Sequence, residues 1–191
     1  MWYVIQTVNG QEQQVCTWIN QRMDHTLFER CFVPLYEDVW RKEGVGHISI
    51  KKTFAGYVFI KTDRPDEVYE ELRKIPKFAV LLSDQLDQSN QKEKTFIPVS
   101  AEEERFLSSI YTDGIMRVSY IEKNSEGRVT SIIGPLEKYR DYIVKLDLSH
   151  RRAVAEIPLF GQMRRMKFGL WCEKDEKIPW IEEEKRLRKN H

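Results

Sequence analysis

The sequence predicts an α+β protein with two domains, an α/β sandwich followed by a small β-barrel. Its 191 residues are enough for two small domains. Over residues 1–83, strand and helix patterns follow the order β-α-β-β-β-α-β, typical of a ferredoxin-like sandwich with an extra hairpin. Five short strand patterns then indicate a small barrel, and they lie at 115–121, 128–134, 142–147, 152–160 and 164–171.

The elements of the first domain follow from residue spacing and turn signals. Apolar residues at helical spacing predict helices over 11–23 and 64–75, and Pro65 suits the first turn of the second helix. Ser100 and Glu103 predict a capping box at the start of a third helix. Strands are predicted at 2–7, 30–40, 41–52 (with Gly44 and Gly46 at the hairpin tip), 54–61 and 78–83, and residues 84–96 are predicted to form a loop.

The stretch KTFAGYVFIK, residues 52–61, is apolar on both faces of its predicted strand. A strand that is buried on one face needs apolar residues only at alternate positions, whereas residues 57–60 are apolar without a break. The second face could be covered by the protein's own core or by a partner. Composition alone favours the core.

Charge is distributed unevenly along the chain. Residues 1–112 carry 14 Lys and Arg against 17 Asp and Glu, whereas residues 113–174 carry 12 against 8. This distribution suggests a polyanion site in the second half. The candidate cations are Lys145, Arg151, Arg152, Arg164, Arg165 and Lys167, with His150 beside them. Composition leaves open whether they bind nucleic acid or form a solvated face.

No catalytic motif is present in the sequence. The histidines His25, His47, His150 and His191 stand in unlike contexts, and no nucleophile elbow, P-loop or Rossmann glycine pattern occurs. The sequence therefore predicts a protein that is not an enzyme, with no catalytic residue, no metal site and no cofactor.

The three cysteines and the chain start predict a cytoplasmic protein. Cys16, Cys31 and Cys172 form no CxxC pair, which predicts neither a disulfide nor a zinc site and fits a reducing compartment. The first ten residues, MWYVIQTVNG, lack the pattern of a signal peptide, and no apolar run has the length of a membrane span.

Three motifs carry a family resemblance. WYVIQTVNGQE at the start, FVPLYE at 32–37 and FAGYVFI at 54–60 resemble the N-terminal (NGN) domain of the NusG family of transcription elongation factors. The second half is similar to the family's KOW domain, an SH3-like barrel, so the resemblance covers residues 1–173. Within the family, RKIPKFAVLLS, GPLEKYRDYIVKLD and HRRAVAEIPLFG most resemble the LoaP group, specialised paralogues tied to long biosynthetic operons.

Three residues depart from the family pattern. Ala55 stands where the family usually has proline, Lys138 stands at a usual glycine of the GPL turn, and Arg128 replaces a usual acidic residue. The changes at Lys138 and Arg128 add positive charge on or near the predicted barrel. Lys138 also requires a turn that tolerates a side chain.

The resemblance implies domain boundaries and partners. It implies an NGN domain over 1–110, a linker at 111–114, a KOW domain over 115–174 and a charged tail over 175–191. The NGN domain would dock on the clamp helices of bacterial RNA polymerase through exposed anchors Tyr57 and Phe59, with Phe54 and Tyr3 beside them. It would also touch non-template DNA.

The resemblance also implies an activity for the second domain. The KOW domain of a monomeric antiterminator would bind a nascent RNA hairpin through the seven basic candidates, and the factor would suppress pausing and termination in specific operons. One alternative is an adaptor whose barrel binds a ribosomal protein or a termination factor. A ribosomal-type RNA-binding protein is a further alternative, although it leaves the first domain unexplained.

Overall fold

The computed structural model describes residues 1–75, 95–172 and 175. The predicted strand 78–83, most of the predicted loop 84–96 and nearly all of the charged tail lie outside the described residues. The strands are β1 Trp2–Gln6, β2 Arg30–Phe32, β3 Leu35–Lys42, β4 Val45–Lys52, β5 Tyr57–Lys61, β6 Phe96–Pro98, β7 Tyr111–Thr112, β8 Ile115–Met116, β9 Ser119–Lys123, β10 Val129–Ile133, β11 Ile143–Asp147, β12 Arg152–Leu159 and β13 Gln162–Cys172. The helices are α1 Glu12–Arg22, α2 Pro65–Arg73 and α3 Ala101–Ile110, with a 3-10 helix at Glu137–Tyr142.

The chain divides into two compact units. The first consists of Met1–Leu35 and Lys52–Gly114, and the second consists of Tyr36–Lys51 and Ile115–His191. The hairpin formed by β3 and β4, which the sequence places within the first domain, therefore packs with the second unit. The reason lies in contacts of Glu37 and Asp38 with residues more than 80 positions later in the chain.

The first unit is an antiparallel sheet with α1 and α2 packed on it. The strand order is β2-β5-β1-β6, and Val4 lies opposite Phe59 across β1 and β5. Val58 and Ile60 point to the same core as Val15 and Ile19 of α1. The remaining buried contacts of that core include Val68 and Leu72 of α2, which share one helical face.

The helix starts in the first unit follow the sequence signals. Pro65 occupies the first turn of α2, where a missing N–H leaves no intrahelical bond unmade. The predicted capping box of α3 is confirmed, because the Ser100 hydroxyl accepts from the Glu103 backbone N–H at 3.2 Å and the Glu103 carboxylate accepts from the Ser100 N–H at 2.8 Å.

The second unit contains a five-stranded sheet in the order β10-β9-β13-β12-β11. β13 pairs in parallel with β9, with Leu170 opposite Ser119, and the other pairs are antiparallel. β4 and β3 extend a second sheet beside β8. Val39 of the hairpin shares an apolar cluster with Val118, Tyr120, Ile133 and Trp171. The described chain is thus mixed α/β with strand-rich sheets.

Within the second unit, the backbone of the β3–β4 hairpin lies very close to the backbone of β13. A Cβ placed on Gly169 of β13 would lie 2.1 Å from the carbonyl oxygen of Glu37. The Glu37 carboxylate accepts from the Val118 N–H at 2.8 Å and from the Arg117 guanidinium at 2.7 Å. Glycine at 169 is therefore required by space, and the buried carboxylate at 37 is satisfied on both oxygens.

Candidate interaction surfaces

The second face of β5 is covered by an aromatic cluster within the first unit. We call this cluster the aromatic face. The Phe59 ring lies at its centre, with the Phe32 centroid at 5.7 Å, Phe54 at 6.1 Å, Trp2 at 6.4 Å and Tyr111 at 6.5 Å. Tyr57 joins it through Phe54, at 6.3 Å. Burial raises the pKa of the Tyr111 phenol well above its usual range.

The expectation that Phe59 is an exposed anchor with Phe54 beside it on an open surface is wrong. Phe59 is 0% exposed and Phe54 is 6% exposed, because neighbouring aromatic rings of the same unit cover them. Tyr57, Trp2 and Phe32 are partly exposed and form the accessible rim of the aromatic face. The second face of β5 therefore has a buried centre, covered by the protein's own core, and a partly exposed rim.

Tyr3 lies on the other face of the sheet from the aromatic face. It stands opposite Ile60 across β1 and β5, and its ring stacks on Phe96 at 4.6 Å with parallel planes. It packs against the core beneath the helices. Its expected place on the face of Tyr57 and Phe59 is wrong, because successive residues of β1 alternate sides and Trp2 lies on that face instead.

The face of β11, β12 and β13 that bears Val154 carries three exposed basic candidates, and the partly buried Arg152 lies further along it. Lys145 and Lys167 both lie opposite Val154, one on each side of it, so they form a row across the three strands. Arg165 lies two residues from Lys167 on the same side of β13, and its guanidinium binds Glu156 at 2.8 Å. We call Lys145, Arg165 and Lys167 the basic strip, and all three are exposed.

Arg151 and Arg152 do not form a free cationic patch, contrary to expectation. Arg151 is 4% exposed, donates to both carboxylate oxygens of Asp175 at 2.9 and 3.2 Å, and donates to the Leu148 carbonyl at 2.7 Å. Arg152 donates to the buried Asp38 carboxylate at 2.8 and 3.0 Å. Both arginines are engaged because each neutralises a buried acid.

Asp38 is held ionised by two cations. Burial raises the pKa of its carboxyl, but hydrogen bonds from Lys51 and Arg152 outweigh that effect and hold the pKa below its ordinary value. The interaction joins β3 and β4 of the hairpin to β12 of the sheet within the second unit. Arg152 therefore has a structural role in this unit.

Arg164 and His150 also lie apart from the basic strip. Arg164 is half-buried, points to the opposite side of β13 from Arg165, and lies over the Phe160 ring at 5.3 Å. His150 sits in an exposed turn, where its backbone N–H donates to Asp147 at 3.0 Å. The Ser149 hydroxyl and His150 hold the pKa of Asp147 well below its usual range.

The strand register explains why the seven candidates do not meet. Arg152 lies opposite Gly169, whereas Arg165 lies opposite Glu156, four residues further along β12. At about 3.3 Å per residue this separates the two arginines by about 13 Å along the strand. The first residues of two adjacent antiparallel strands lie at opposite ends of the strand pair. The two basic clusters of the sequence, 150–152 and 164–167, are therefore separated in space.

Sequence reasoning missed an exposed aromatic pair on the hairpin. Trp40 of β3 stacks on His47 of β4 with ring centroids 4.4 Å apart, and Trp40 is 47% exposed. The pairing follows from the two-residue turn at Glu43 and Gly44, both of which have positive φ. In a hairpin with a two-residue turn, residues at equal distances from the turn face each other across the strands. The turn signal in the sequence therefore predicts that Trp40 lies opposite His47.

No metal or membrane feature is found among the described residues. Within residues 1–75, 95–172 and 175, no group of three or more His, Cys, Asp or Glu side chains is placed to hold a metal ion. In the same part of the chain, no helix is long and apolar enough to cross a membrane.

Comparison with known proteins gives a family. Residues 1–107 match the family model described as transcription termination factor nusG. The chain belongs to the NusG family. NusG proteins of Pasteurella multocida and Haemophilus influenzae, both described as transcription termination/antitermination proteins, are each 24% identical to it. The alignments span 84% and 88% of this chain and 87% and 91% of those proteins.

A solved structure also resembles the chain. The structure described as "Domain interaction in Thermotoga maritima NusG" is 21% identical, covers 88% of this chain and 92% of its own, and has a TM-score of 0.47.

Two of the residues that depart from the NusG pattern, Lys138 and Arg128, lie at exposed positions. Lys138 lies exposed in the 3-10 helix after the Gly134 turn, and Arg128 lies beside Glu126 in the β9–β10 turn at 3.4 Å.

Proposed function

We propose that this NusG-family protein is a cytoplasmic elongation and antitermination factor of the LoaP type, without catalytic activity. The first unit would act as the NGN domain and dock on the clamp helices of bacterial RNA polymerase. The second unit would act as the KOW domain and bind a nascent RNA hairpin. The support is family membership over residues 1–107 together with the two surfaces described above.

The basic strip carries the RNA assignment. Lys145 and Lys167 are exposed on either side of Val154, and the partner of Arg165 is a half-exposed Glu156. Lysines on β11 and β13, which flank β12, can contact successive phosphates of a backbone, while an arginine fork can bind a guanine edge. The regular A-form major groove is too narrow for side chains, so base reading requires a bulge or a loop.

Binding to a hairpin library tests the RNA assignment. The full chain is used to select from RNA hairpins with a randomised bulge, and Lys145→Gln/Lys167→Gln is compared with the original protein on the selected hairpin. We expect affinity to fall about tenfold and the slope of log affinity against log salt to become shallower by about 1.5, because two phosphate contacts are lost.

The control removes a single positive charge elsewhere in the second unit. Arg128→Gln removes an exposed cation from the β9–β10 turn and should leave both affinity and slope unchanged. Arg165→Lys keeps the charge and should cost about 1–3 kcal/mol on the selected hairpin only, if its fork reads a base. Failure to enrich any hairpin, or equal losses for the double variant and the Arg128 control, would contradict the proposal.

A protein-binding role for the second unit is the second candidate. The edge strand β11 exposes Val144 and Leu146, which are 53% and 41% accessible, and Met163 of β13 is 59% accessible. Exposed apolar side chains on an edge strand suit a protein partner such as a ribosomal protein or a termination factor. Val144→Ser would then abolish partner binding, while the lysine double variant would preserve it.

A further inference from the structure

Two cysteines that are distant in sequence meet in the core of the first unit. Cys16 lies on α1 and Cys31 lies on β2, and their sulfur atoms are 4.0 Å apart. The Cys31 thiol donates toward the Cys16 sulfur, and both residues are buried. The spacing of 15 residues gives no motif, so only the packing of the helix on the sheet brings them together.

A third side chain holds the two cysteines in place. The amide nitrogen of Asn20 donates to the Cys16 sulfur at 3.3 Å, to the Cys16 carbonyl at 2.9 Å and to the Cys31 carbonyl at 3.1 Å. Asn20 is itself exposed. The sulfur pair therefore lies one side chain from solvent, beneath a polar group that bridges α1 to β2.

We propose that Cys16 and Cys31 are a redox-active dithiol that closes to an intrachain disulfide, with hydrogen peroxide or a small-molecule disulfide as the oxidant. The inference is independent of the proposed function. It revises the expectation that the three cysteines lack partners, which rested on sequence spacing alone.

The chemistry assigns different roles to the two sulfurs. Hydrogen bonds from Cys31 and Asn20 lower the pKa of the Cys16 thiol against the opposing effect of burial, whereas burial raises the pKa of Cys31 well above its ordinary value. The Cys16 thiolate attacks a peroxide oxygen, the O–O bond breaks, and hydroxide leaves to be protonated to water. The resulting Cys16 sulfenic acid condenses with the Cys31 thiol, which forms the S–S bond and releases a second water.

A small-molecule disulfide gives the same product by exchange. The Cys16 thiolate attacks one sulfur of the oxidant and expels the other as a thiolate, forming a mixed disulfide. The Cys31 thiol then passes its proton to the expelled oxidant thiolate and displaces the remaining oxidant sulfur, which water protonates, so that two protein thiols are oxidised and one oxidant disulfide is reduced to two thiols. No step requires a metal or a further protein group.

Differential alkylation of the full chain tests the proposal. The reduced protein is freed of reductant, treated with hydrogen peroxide or oxidised glutathione, denatured, and blocked with N-ethylmaleimide. Intact mass and peptide mapping then identify the free thiols. We expect the three cysteines to give three adducts before oxidation and one, on Cys172, afterwards, with the loss of two hydrogens and a peptide joining Cys16 to Cys31.

Matched variants separate this disulfide from unspecific oxidation. Cys172→Ser should form the bond as the original protein does, and dithiothreitol should reverse it. Cys31→Ser should give no intrachain bond and should instead yield a Cys16 sulfenic acid that dimedone traps. If Cys31→Ser does not fold, formation of the Cys16–Cys31 bond in the Cys172→Ser protein is the deciding measurement. Three adducts after oxidation, or bonds formed mainly through Cys172 or between molecules, would overturn the proposal.

Discussion

Glu12 is a buried carboxylate on which the strand-to-helix junction of the first unit depends. It is 0% exposed and accepts from the Gly10 N–H at 2.9 Å, the Gly56 N–H at 2.7 Å and Lys52 at 2.6 Å. Burial raises the pKa of this carboxyl, but hydrogen bonds from Lys52, from the Gly56 N–H and from the backbone N–H of Glu12 itself outweigh it, and the pKa lies below its ordinary value. Glu12 thus ties the start of α1 to the Gly56 turn before β5.

Glu12→Gln should lower the free energy of unfolding by about 2–3 kcal/mol at neutral pH, because it removes the charge from a buried, paired site. A folded-state pKa below the unfolded value gives stability that is present above the unfolded pKa and lost as pH falls through the folded pKa. The difference between Glu12→Gln and the original protein should therefore shrink in acid. Urea denaturation at pH 7 and at pH 3 measures it, and a difference that grows in acid would contradict this role.

Two residues of the aromatic face, Phe59 and Tyr57, should respond differently to substitution. Phe59→Ala should lower the free energy of unfolding by about 3–5 kcal/mol, because it empties a fully buried ring site. Tyr57→Ala, at the partly exposed rim, should cost about 1 kcal/mol of stability and weaken polymerase binding by about 2 kcal/mol. Thermal unfolding and binding to purified polymerase measure the two effects. Equal stability losses, or unchanged polymerase affinity for Tyr57→Ala, would contradict the division.

At the scale of single residues, the alternation of side chains along a strand could have predicted which face many of the candidate residues take. Since Phe59 and Val4 lie opposite each other, counting by two along β1 assigns Trp2 to the aromatic face and Tyr3 to the core. The same count separates Arg164 from Arg165. The burial of Arg151 could not be predicted, because its partner Asp175 follows 24 residues later and no local pattern links them.

The β3–β4 hairpin is the element whose placement the sequence did not indicate. Its local signals are strong, since Glu43 and Gly44 form a tight turn between two strand patterns. Its packing depends on contacts of Glu37 with Arg117 and Val118, which are 80 and 81 residues away. Local propensity determines that a hairpin forms, whereas long-range side-chain contacts determine which sheet it joins.

Two glycines measure how tightly the hairpin packs in the second unit. Gly169→Ala should lower stability by about 3 kcal/mol, because its Cβ would lie 2.1 Å from the backbone oxygen of Glu37. Gly46→Ala should cost about 1 kcal/mol, because its Cβ would meet the edge of the Trp171 ring at 3.1 Å, where a side chain can shift. Hydrogen exchange should show the loss for Gly169→Ala in β3, β12 and β13. Equal costs for the two variants would argue against close packing at Gly169.

In the whole molecule, the proposed function uses one surface on each unit. The first unit offers a partly open aromatic rim, and the second offers the basic strip. The distribution of charged residues predicted a basic second half, and the order of the motifs predicted membership of the NusG family. Neither could show that two of the seven basic candidates, Arg151 and Arg152, are paired with buried acids, because that pairing depends on the positions of Asp175 and Asp38 in the fold.

In vitro transcription through a terminator tests the central claim most directly. The template encodes the selected RNA hairpin upstream of the terminator, and readthrough is measured with bacterial polymerase and the full chain. The account predicts that readthrough rises with the original protein and with Arg128→Gln, falls toward the factor-free level with Lys145→Gln/Lys167→Gln, and is absent when the hairpin sequence is scrambled. Equal readthrough for the double variant and the Arg128 control, or readthrough that ignores the hairpin, would contradict the claim that the basic strip recruits this NusG-family protein to RNA.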